Sequence, residues 1–367
     1  MSTVKLGDVA IESRDSLKEK DKSLPVVGLE HLIPEQINLT DWNIGQENTF
    51  TKIFEKGDVL FGRRRAYLKK TAVAPCKGIC SGDITVIRAR EDKILPELLP
   101  FVIQNDIFFD YAVGKSAGSL SPRVKWEHLA NYEFNLPELD EQKKLAEVLW
   151  QIVATMESYK KLLAKTDEMV KAKFNELLLK NERTCTIRDY VELPIKKITK
   201  DTKFDEIQYI DISSIDKDLR IIQGTTNYQL NNAPSRAQQI VKKNDILIST
   251  VRPNLKTFAI INLEADNLIA STGFCVLRVQ NCPLYYLYGI INSDIFTNQM
   301  ISEATGISYP AVNDGNILNF KIPDISEEQQ KYLADLVAKS EESKSAIKAS
   351  LDSLTKIYKK IIAENIG

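Results

Sequence analysis

One feature limits the folds open to this chain more than any other: much of it is written twice. Lys56-Gly57-Asp58-Val59-Leu60-Phe61 resembles Lys243-Asn244-Asp245-Ile246-Leu247-Ile248, an offset of 187. At the same offset Arg65, Leu68, Lys69 and Ala72 meet Arg252, Leu255, Lys256 and Ala259. Further matches follow in order: Ile79-Cys80-Ser81 with Ile269-Ala270-Ser271, Asp106-Ile107-Phe108 with Asp294-Ile295-Phe296, and Gly118, Pro122 and Val124 with Gly306, Pro310 and Val312. Gln142-Lys143 and Leu145-Ala146 then meet Gln330-Lys331 and Leu333-Ala334. Each match is weak by itself, but the shared order and spacing are not. Solenoid repeats run about 20–45 residues, so a period this long means one duplication of a domain together with its tail.

Each half reads as a mixture of short strands and helices. Val59-Leu60-Phe61 and Ile246-Leu247-Ile248 are β-type runs after a turn-like Gly-Asp or Asn-Asp, and Ile84–Ile87 and Phe274–Leu277 are also strand-like. A helix-like stretch follows at 96–111 and at 283–300. Then comes a Gly/Ser/Pro loop, Gly118-Ser119-Leu120-Ser121-Pro122-Arg123 or Gly306-Ile307-Ser308-Tyr309-Pro310-Ala311. Phe134–Pro137 and Phe320–Pro323 close each half as a short strand. The expected class is α+β, with two tandem related domains.

The tails are of another kind. From Leu145 the apolar-type positions are Leu149, Ile152, Met156, Tyr159, Leu163, Thr166 and Val170, in alternating steps of four and three. From Leu333 the same rhythm carries Val337, Ser340, Lys344, Ile347, Leu351, Leu354, Tyr358 and Ile361. No Gly or Pro interrupts either run up to those last positions. This is a heptad stripe, and it predicts a pair of long helices forming an antiparallel coiled coil. The expected interface residues are Leu149, Ile152, Met156, Leu163 and Val170 with Ile347, Leu351, Leu354 and Tyr358. Forty residues at about 1.5 Å each would give a rod of roughly 60 Å with a domain at either end. The expected division is 1–138 and 183–324 for the two domains, with 139–182 and 325–367 for the helices. Asp140 and Ser326 are candidate helix caps.

The net charge of −1 announces no polyanionic partner, but its distribution does. Between Lys52 and Lys77 eight bases face two acids, a local +6; between Arg236 and Lys256 five bases face one acid, a local +4. The two islands occupy equivalent places in the repeat. Candidate nucleic-acid contacts in the first half are Arg63, Arg64, Arg65, Tyr67, Lys69 and Lys70, with Ser119, Arg123 and Lys125 from the Gly/Ser/Pro loop. Those in the second half are Arg252, Asn254 and Lys256, with Ser308, Tyr309 and Asn313. Guanidinium forks suit phosphates and guanine edges, an amide suits adenine, and hydroxyls in such loops suit phosphate. A solvated surface loop and a plain domain-closing turn are the bland alternatives.

Gly57-Asp58-Val59-Leu60-Phe61 with Arg64-Arg65, Ser119–Val124, and Asn135-Leu136-Pro137 before Glu141-Gln142-Lys143 resemble the specificity subunit of type I restriction–modification systems. Their second-half counterparts do too, so the resemblance runs over essentially the whole chain. It implies two target recognition domains, each reading half of a split, non-palindromic DNA target. It also implies spacer helices that dock two methyltransferase subunits, with restriction and motor subunits joining them. S-adenosylmethionine, ATP and Mg would belong to those partners, and none would be bound directly by this chain. The family's recognition loops differ between members, so the resemblance assigns no base contact.

Other classes find little support. There is no Gly-rich phosphate loop, no Asn- or Asp-Pro-Pro-aromatic motif of an amino methyltransferase, and only two histidines, His31 and His128. Five scattered cysteines suggest neither a disulfide framework nor a metal site. No apolar run approaches the ~18 residues of a membrane span, and no secretory pattern opens the chain, so the expected location is the cytoplasm. The expected chain is non-catalytic. Two rivals remain: a coiled-coil scaffold that ignores nucleic acid, and a reader fused to an unrecognised nuclease site. Salt-independent failure to bind any duplex would mark the first, and cleavage by the isolated chain the second.

Overall fold

The computed structural model describes the whole chain except Met1, Lys20, Gln46, Asn181, Glu182, Lys200, Asp201, Lys203 and Asp218. Two long helices dominate it, Leu139–Lys180 and Glu327–Ile366. They lie inside the two spans expected to be helical; the expected boundary at Glu182 falls outside the described residues. The chain divides into two compact units, residues 1–160 with 348–367, and residues 161–347. Each long helix therefore gives one half to each unit. Among the described residues no helix is long and apolar enough to cross a membrane.

Unit 1 contains a four-stranded antiparallel sheet in the order Ala10–Ser13, Ile84–Ala89, Val59–Gly62, Thr71–Val73. A second sheet places Val26–Val27 parallel to Gly78–Cys80, with Lys52–Phe54 antiparallel on the other side. Ser2–Lys5 pairs with Glu133–Leu136 where the first long helix begins. The core gathers Phe61, Phe101, Phe108 and Phe134 around Leu149 and Val153 of the first long helix and Ile362 and Ile366 of the second. The first helix leaves this core and the second arrives at it, so their halves run in opposite senses.

Unit 2 repeats the plan. Its antiparallel sheet is ordered Val191–Glu192, Phe274–Val279, Asp245–Ser249, Phe258–Ile260. Thr184–Thr186 pairs with Lys321–Pro323. Its second sheet again has a parallel pair, Glu206–Ile210 beside Leu268–Ser271, and gains an extra edge strand, Thr226–Gln229. A small hairpin, Ile215–Asp216 with Ile221–Ile222, is also added. Val170 and Phe174 of the first long helix and Leu333 and Val337 of the second close the core, again in opposite senses. Phe174 packs where Gly289 leaves no Cβ; one added there would fall 2.3 Å from the ring.

The heptad stripe is the least exposed face of both helices. Leu149 and Val170 are fully buried, and Ile152, Met156, Leu163, Ile347, Leu351, Leu354 and Tyr358 are half-buried. Two helices alone cannot wrap every stripe residue, so full burial comes only where a unit's core meets the stripe.

The recurring Lys-Gly-Asp and Lys-Asn-Asp motif has a structural cause. Gly57 and Asn244 take positive φ, 89° and 72°, the region open to Gly and tolerated by Asn. The next residue, Asp58 or Asp245, is buried and accepts backbone N–H donation from Glu55 (2.7 Å) or Lys242 (2.9 Å). Each carboxylate is then gripped through both oxygens by an arginine on the neighbouring strand, Arg88 or Arg278, at 2.8–3.0 Å. A buried carboxylate needs such pairing, so the motif and the distant arginine recur together.

Two expectations need correction. The single helix-like stretch in each half is two helices, Leu99–Ile103 with Asp106–Gly114, and Leu284–Asn292 with Asp294–Glu303. The break falls at Asn105 and Ser293, whose side chains accept from the amides of Ile107 and Phe296 as N-caps; the apolar periodicity runs through this break and hides it. Asp140 is not a cap, because the helix starts at Leu139 and the Glu138 carbonyl accepts from the amides of Glu141 and Gln142. Ser326 does cap its helix, its hydroxyl accepting from the Gln329 amide at 3.3 Å.

Candidate nucleic-acid interface

In both units the basic island folds into the same turn. Strand Val59–Gly62 runs into a short 3-10 helix, Ala66–Leu68, flanked by Arg65 (φ 55°) and Lys69 (φ 50°). Strand Asp245–Ser249 runs into Pro253–Leu255, flanked by Arg252 (φ 51°) and Lys256 (φ 50°). Four basic residues thus stand in the left-handed region, uncommon for a side chain with a Cβ. The cause is the turn's hydrogen bonding: the Arg65 and Arg252 carbonyls accept from the amides of Leu68 and Leu255, and the Lys69 and Lys256 amides donate to Ala66 and Pro253.

The Gly/Ser/Pro loop is held against this turn by the backbone. In unit 1 Ala117 and Arg123 exchange two hydrogen bonds of 2.9 Å, the Arg65 amide donates to the Pro122 carbonyl (2.8 Å), and that of Val124 to Arg63 (3.0 Å). In unit 2 Thr305 and Ala311 make the same exchange, the Arg252 amide donates to Pro310 (2.7 Å), and that of Val312 to Thr250 (2.9 Å). Gly118 and Gly306 hold φ of 113° and 101° at the start of each loop, where a side chain would be strained. The two segments singled out in each half therefore form one surface within each unit.

The side chains on these matched frames differ. In unit 1 Asp83 binds Arg123 (2.8 Å) and Arg64 (3.4 Å), and Arg64 also donates to the Ser121 hydroxyl. The hydrogen bond from Arg123 and the charges of both arginines hold the Asp83 carboxyl below its usual range. Arg65 and Tyr67 are exposed, and Arg65 forms no ion pair among the described residues. In unit 2 the place of Asp83 is taken by Gly273, and Arg252 stacks over the ring of Tyr309 at 4.7 Å. Asn254 and Ser308 are exposed beside it.

Several candidates have internal partners. Lys69 pairs with Asp106, which also binds Lys359 of the second long helix (2.9 Å). Burial would raise the Asp106 carboxyl, but hydrogen bonds from both lysines hold it low. Lys256 pairs with Asp294 (2.8 Å), which Asn175 of the first long helix also contacts through its amide. Lys70 donates to the Leu29 carbonyl (2.7 Å). Asn313 is the N-cap of helix Asp314–Leu318, accepting from the Asn316 amide at 3.0 Å. Lys125 precedes helix Trp126–Leu129 and is exposed, as is Ser119. Sequence reasoning missed Asp83, Asp106 and Asp294. Only the pairing of Asp106-Ile107-Phe108 with Asp294-Ile295-Phe296 in the repeat could have flagged the last two. No group of residues able to hold a metal ion occurs among the described residues.

Residues 1–166 match the family described as the type I restriction modification DNA specificity domain. The HindI specificity subunit of Haemophilus influenzae, a type I restriction enzyme, is 31% identical over 110 residues, 28% of this chain and 24% of that subunit. The chain thus spans about a quarter of that relative's length. Two solved structures share the fold over nearly the whole chain. The type I restriction–modification S subunit from M. genitalium has a TM-score of 0.56 at 13% identity, covering 98% of this chain and 94% of its own. A chain described in connection with complex assembly and conformational transition of the type I R-M system has a TM-score of 0.54 at 17% identity, covering 99% and 97%. The first 166 residues thus resemble a type I restriction–modification DNA specificity domain, and the frame that repeats the plan in the second half has the fold of the solved S subunits.

Proposed function

We propose that the chain reads a split, non-palindromic DNA target, one half through each unit, within a type I restriction–modification complex. The observation that carries this reading is the pair of turn-and-loop surfaces: the backbone is matched bond for bond, while the side chains on it differ. Matched frames dock on a duplex in the same way, and different side chains read different bases. Arg63, Arg64, Arg65, Tyr67, Lys70, Ser119, Arg123 and Lys125 serve one half-site. Arg252, Asn254, Ser308, Tyr309 and Asn313 serve the other. Lys69 and Lys256, tied to Asp106 and Asp294, fix the turn to a long helix and add positive potential.

The recognition domains correspond to 1–138 and 183–324, and the long helices set the distance between half-sites. Those helices dock two methyltransferase subunits, and restriction and motor subunits complete the assembly in the cytoplasm. S-adenosylmethionine, ATP and Mg enter through those partners, and this chain contributes recognition, not turnover.

The test is a binding-site selection on the chain assembled with its methyltransferase subunit, for wild type, Arg64→Ala/Arg65→Ala and Arg252→Ala. A split target is expected, with the first variant relaxing one half and the second the other. A lost base contact should cost about 1–3 kcal/mol at one position, whereas a lost phosphate contact weakens all sequences and flattens the salt dependence. A palindromic or continuous target, or variants that alter both halves alike, would overturn the reading. So would methylation, ATP hydrolysis or cleavage by the rigorously pure chain.

A further inference from the structure

The loop that braces each basic turn carries one aliphatic side chain at its tip, in full solvent. Leu120 is 91% exposed and Ile307 is 103% exposed. Isolated exposed hydrophobics are ordinary on protein surfaces. These two are set apart by their frame. Both stand among polar or small neighbours, Gly118, Ser119 and Ser121 in one loop and Gly306, Ser308 and Tyr309 in the other. Both loops are closed below the tip by a two-way backbone exchange, Ala117 with Arg123 and Thr305 with Ala311, and are pinned again to the basic turn through the Pro122 and Pro310 carbonyls. The tips are therefore presented on a braced stem and are not free to fold back onto the unit. At the base of each stem sits an arginine held by its loop, Arg64 by Ser121 and Arg252 by the ring of Tyr309. The two tips are not at aligned positions of the repeat: Leu120 stands two residues after Gly118, Ile307 one residue after Gly306. The apolar tip is thus kept while the local sequence around it differs.

A cationic stem that brings an apolar point to a polyanion has two apolar surfaces to meet inside a groove, thymine methyls and the faces of the stacked bases, and a tip standing clear of its loop can reach the second. Leu, Ile and similar side chains enter between base steps as wedges, partly unstacking them and kinking the duplex. We propose that Leu120 and Ile307 are such wedges, each entering one base step of its half-site while the arginine beneath holds the flanking backbone. This rests on the reading of the chain as a two-part DNA reader and adds that each half-site is deformed as well as contacted. Sequence preference at the wedged step would follow from how easily it unstacks, with flexible pyrimidine–purine steps favoured.

The test uses the full chain with its methyltransferase subunit and a series of duplexes of the selected target, each carrying a single 2-aminopurine. Wild type is expected to brighten the probe at one step in each half-site. Leu120→Ser should abolish one of those signals and weaken binding about tenfold, and Ile307→Ser the other, with the remaining half-site untouched. Both side chains stand in solvent, so folding is not at stake, and circular dichroism of the variants should match wild type. Binding to a split target with no brightened position overturns the wedge and leaves the two-reader proposal standing. Loss of affinity that instead tracks replacement of thymine by uracil, without unstacking, shows a methyl contact and also overturns it. Variants that keep DNA binding but lose the methyltransferase subunit place the tips on a protein surface, with the same consequence. Failure of wild type to bind any duplex overturns both proposals.

Discussion

Residues 28–51 of unit 1 and 211–236 of unit 2 occupy the same place in the repeat, between strands Val26–Val27 and Lys52–Phe54 in one and between Glu206–Ile210 and Ala237–Ile240 in the other, and are nearly equal in length. They do opposite things to the helices beneath them. In unit 2 the segment folds into the added hairpin and lowers Arg220 (φ 54°) onto the long helices. Arg220 lies over the ring of Phe258 at 4.9 Å and pairs with Asp167 (3.4 Å), which also binds Lys171 and Lys344 (2.9 Å). In unit 1 the segment forms no strand among its described residues, and its polar reach to the helix is Asn38 donating to exposed Glu157 at 2.7 Å. Met156 and Thr355 stand where unit 2 has Lys344 and Asp167, and they line an open cleft of about 540 Å³ that continues into a second of about 320 Å³. A duplicated frame has thus kept its sheets and turns while one copy closed the space against the helices with charge and the other left it open. The lesson is that the strand ladders and the buried Asp–Arg pairs recur, whereas the segment over the helices differs: it is bridged to Val26 and Val73 in unit 1 and supplies a hairpin and an edge strand in unit 2.

The sharpest way to break this comparison is to remove the shared carboxylate. Asp167→Ala would leave Arg220 largely buried without its carboxylate, with Glu341 still holding Lys344, and should destabilise unit 2 by about 3 kcal/mol. Glu157→Ala, at an exposed pair, should cost ~1 kcal/mol or less. Hydrogen exchange resolved by unit is the measurement. Equal protection loss in both variants would mean that the cluster closes nothing.

Acid should separate the units more gently. Burial alone would raise the Asp167 carboxyl, but hydrogen bonds from Lys171 and Lys344 and the charge of Arg220 hold it far below the ordinary range. A depressed folded value means that its contribution is fully present above the unfolded value of about 4 and fades as pH falls below it. Unit 2 should therefore lose more protection than unit 1 between about pH 4 and pH 2. Asp167→Asn should flatten that slope, and an unchanged acid limb in urea titrations would count against the cluster.

The smallest effect concerns the loops. A Cβ on Gly306 would lie 3.0 Å from the Tyr309 carbonyl oxygen, whereas on Gly118 the nearest atom is at 3.6 Å. Both positions carry the left-handed penalty of roughly 1 kcal/mol. Gly306→Ala should exceed Gly118→Ala by the cost of that contact. Melting temperatures of the two variants decide it, and the reverse order would show that the loop of unit 2 can yield.

Much of this frame was legible in the chain. The repeat is written in turn residues, and turns demand particular residues: Gly57 and Asn244 for positive φ, Asp58 and Asp245 to cap the turn. The heptad stripe is legible because a helix buries every third or fourth residue whatever it packs against. The break before Asp106 and Asp294 was not, since Asn105 and Ser293 interrupt the backbone without interrupting the apolar pattern. Nor were the ties between distant residues at the interface. Lys69 and Lys256 read as free cations in the sequence and are paired in the fold, because nothing local to Lys69 announces an aspartate 37 residues later. Leu120 and Ile307 looked like ordinary loop residues, since exposure is a property of the assembled surface.

The way the second long helix is shared also bears on how the molecule is made. Unit 2 is one continuous stretch of chain, whereas unit 1 requires residues 348–367, and its core lacks Ile362 and Ile366 until they are present. Chains emerge from the ribosome starting at the N-terminus, and domains generally fold as they appear. Here that order is inverted: the half translated first waits, with an apolar face uncovered, while the half translated second can close. A premature stop just after residue 347 would spare unit 2 and strand the one synthesised first.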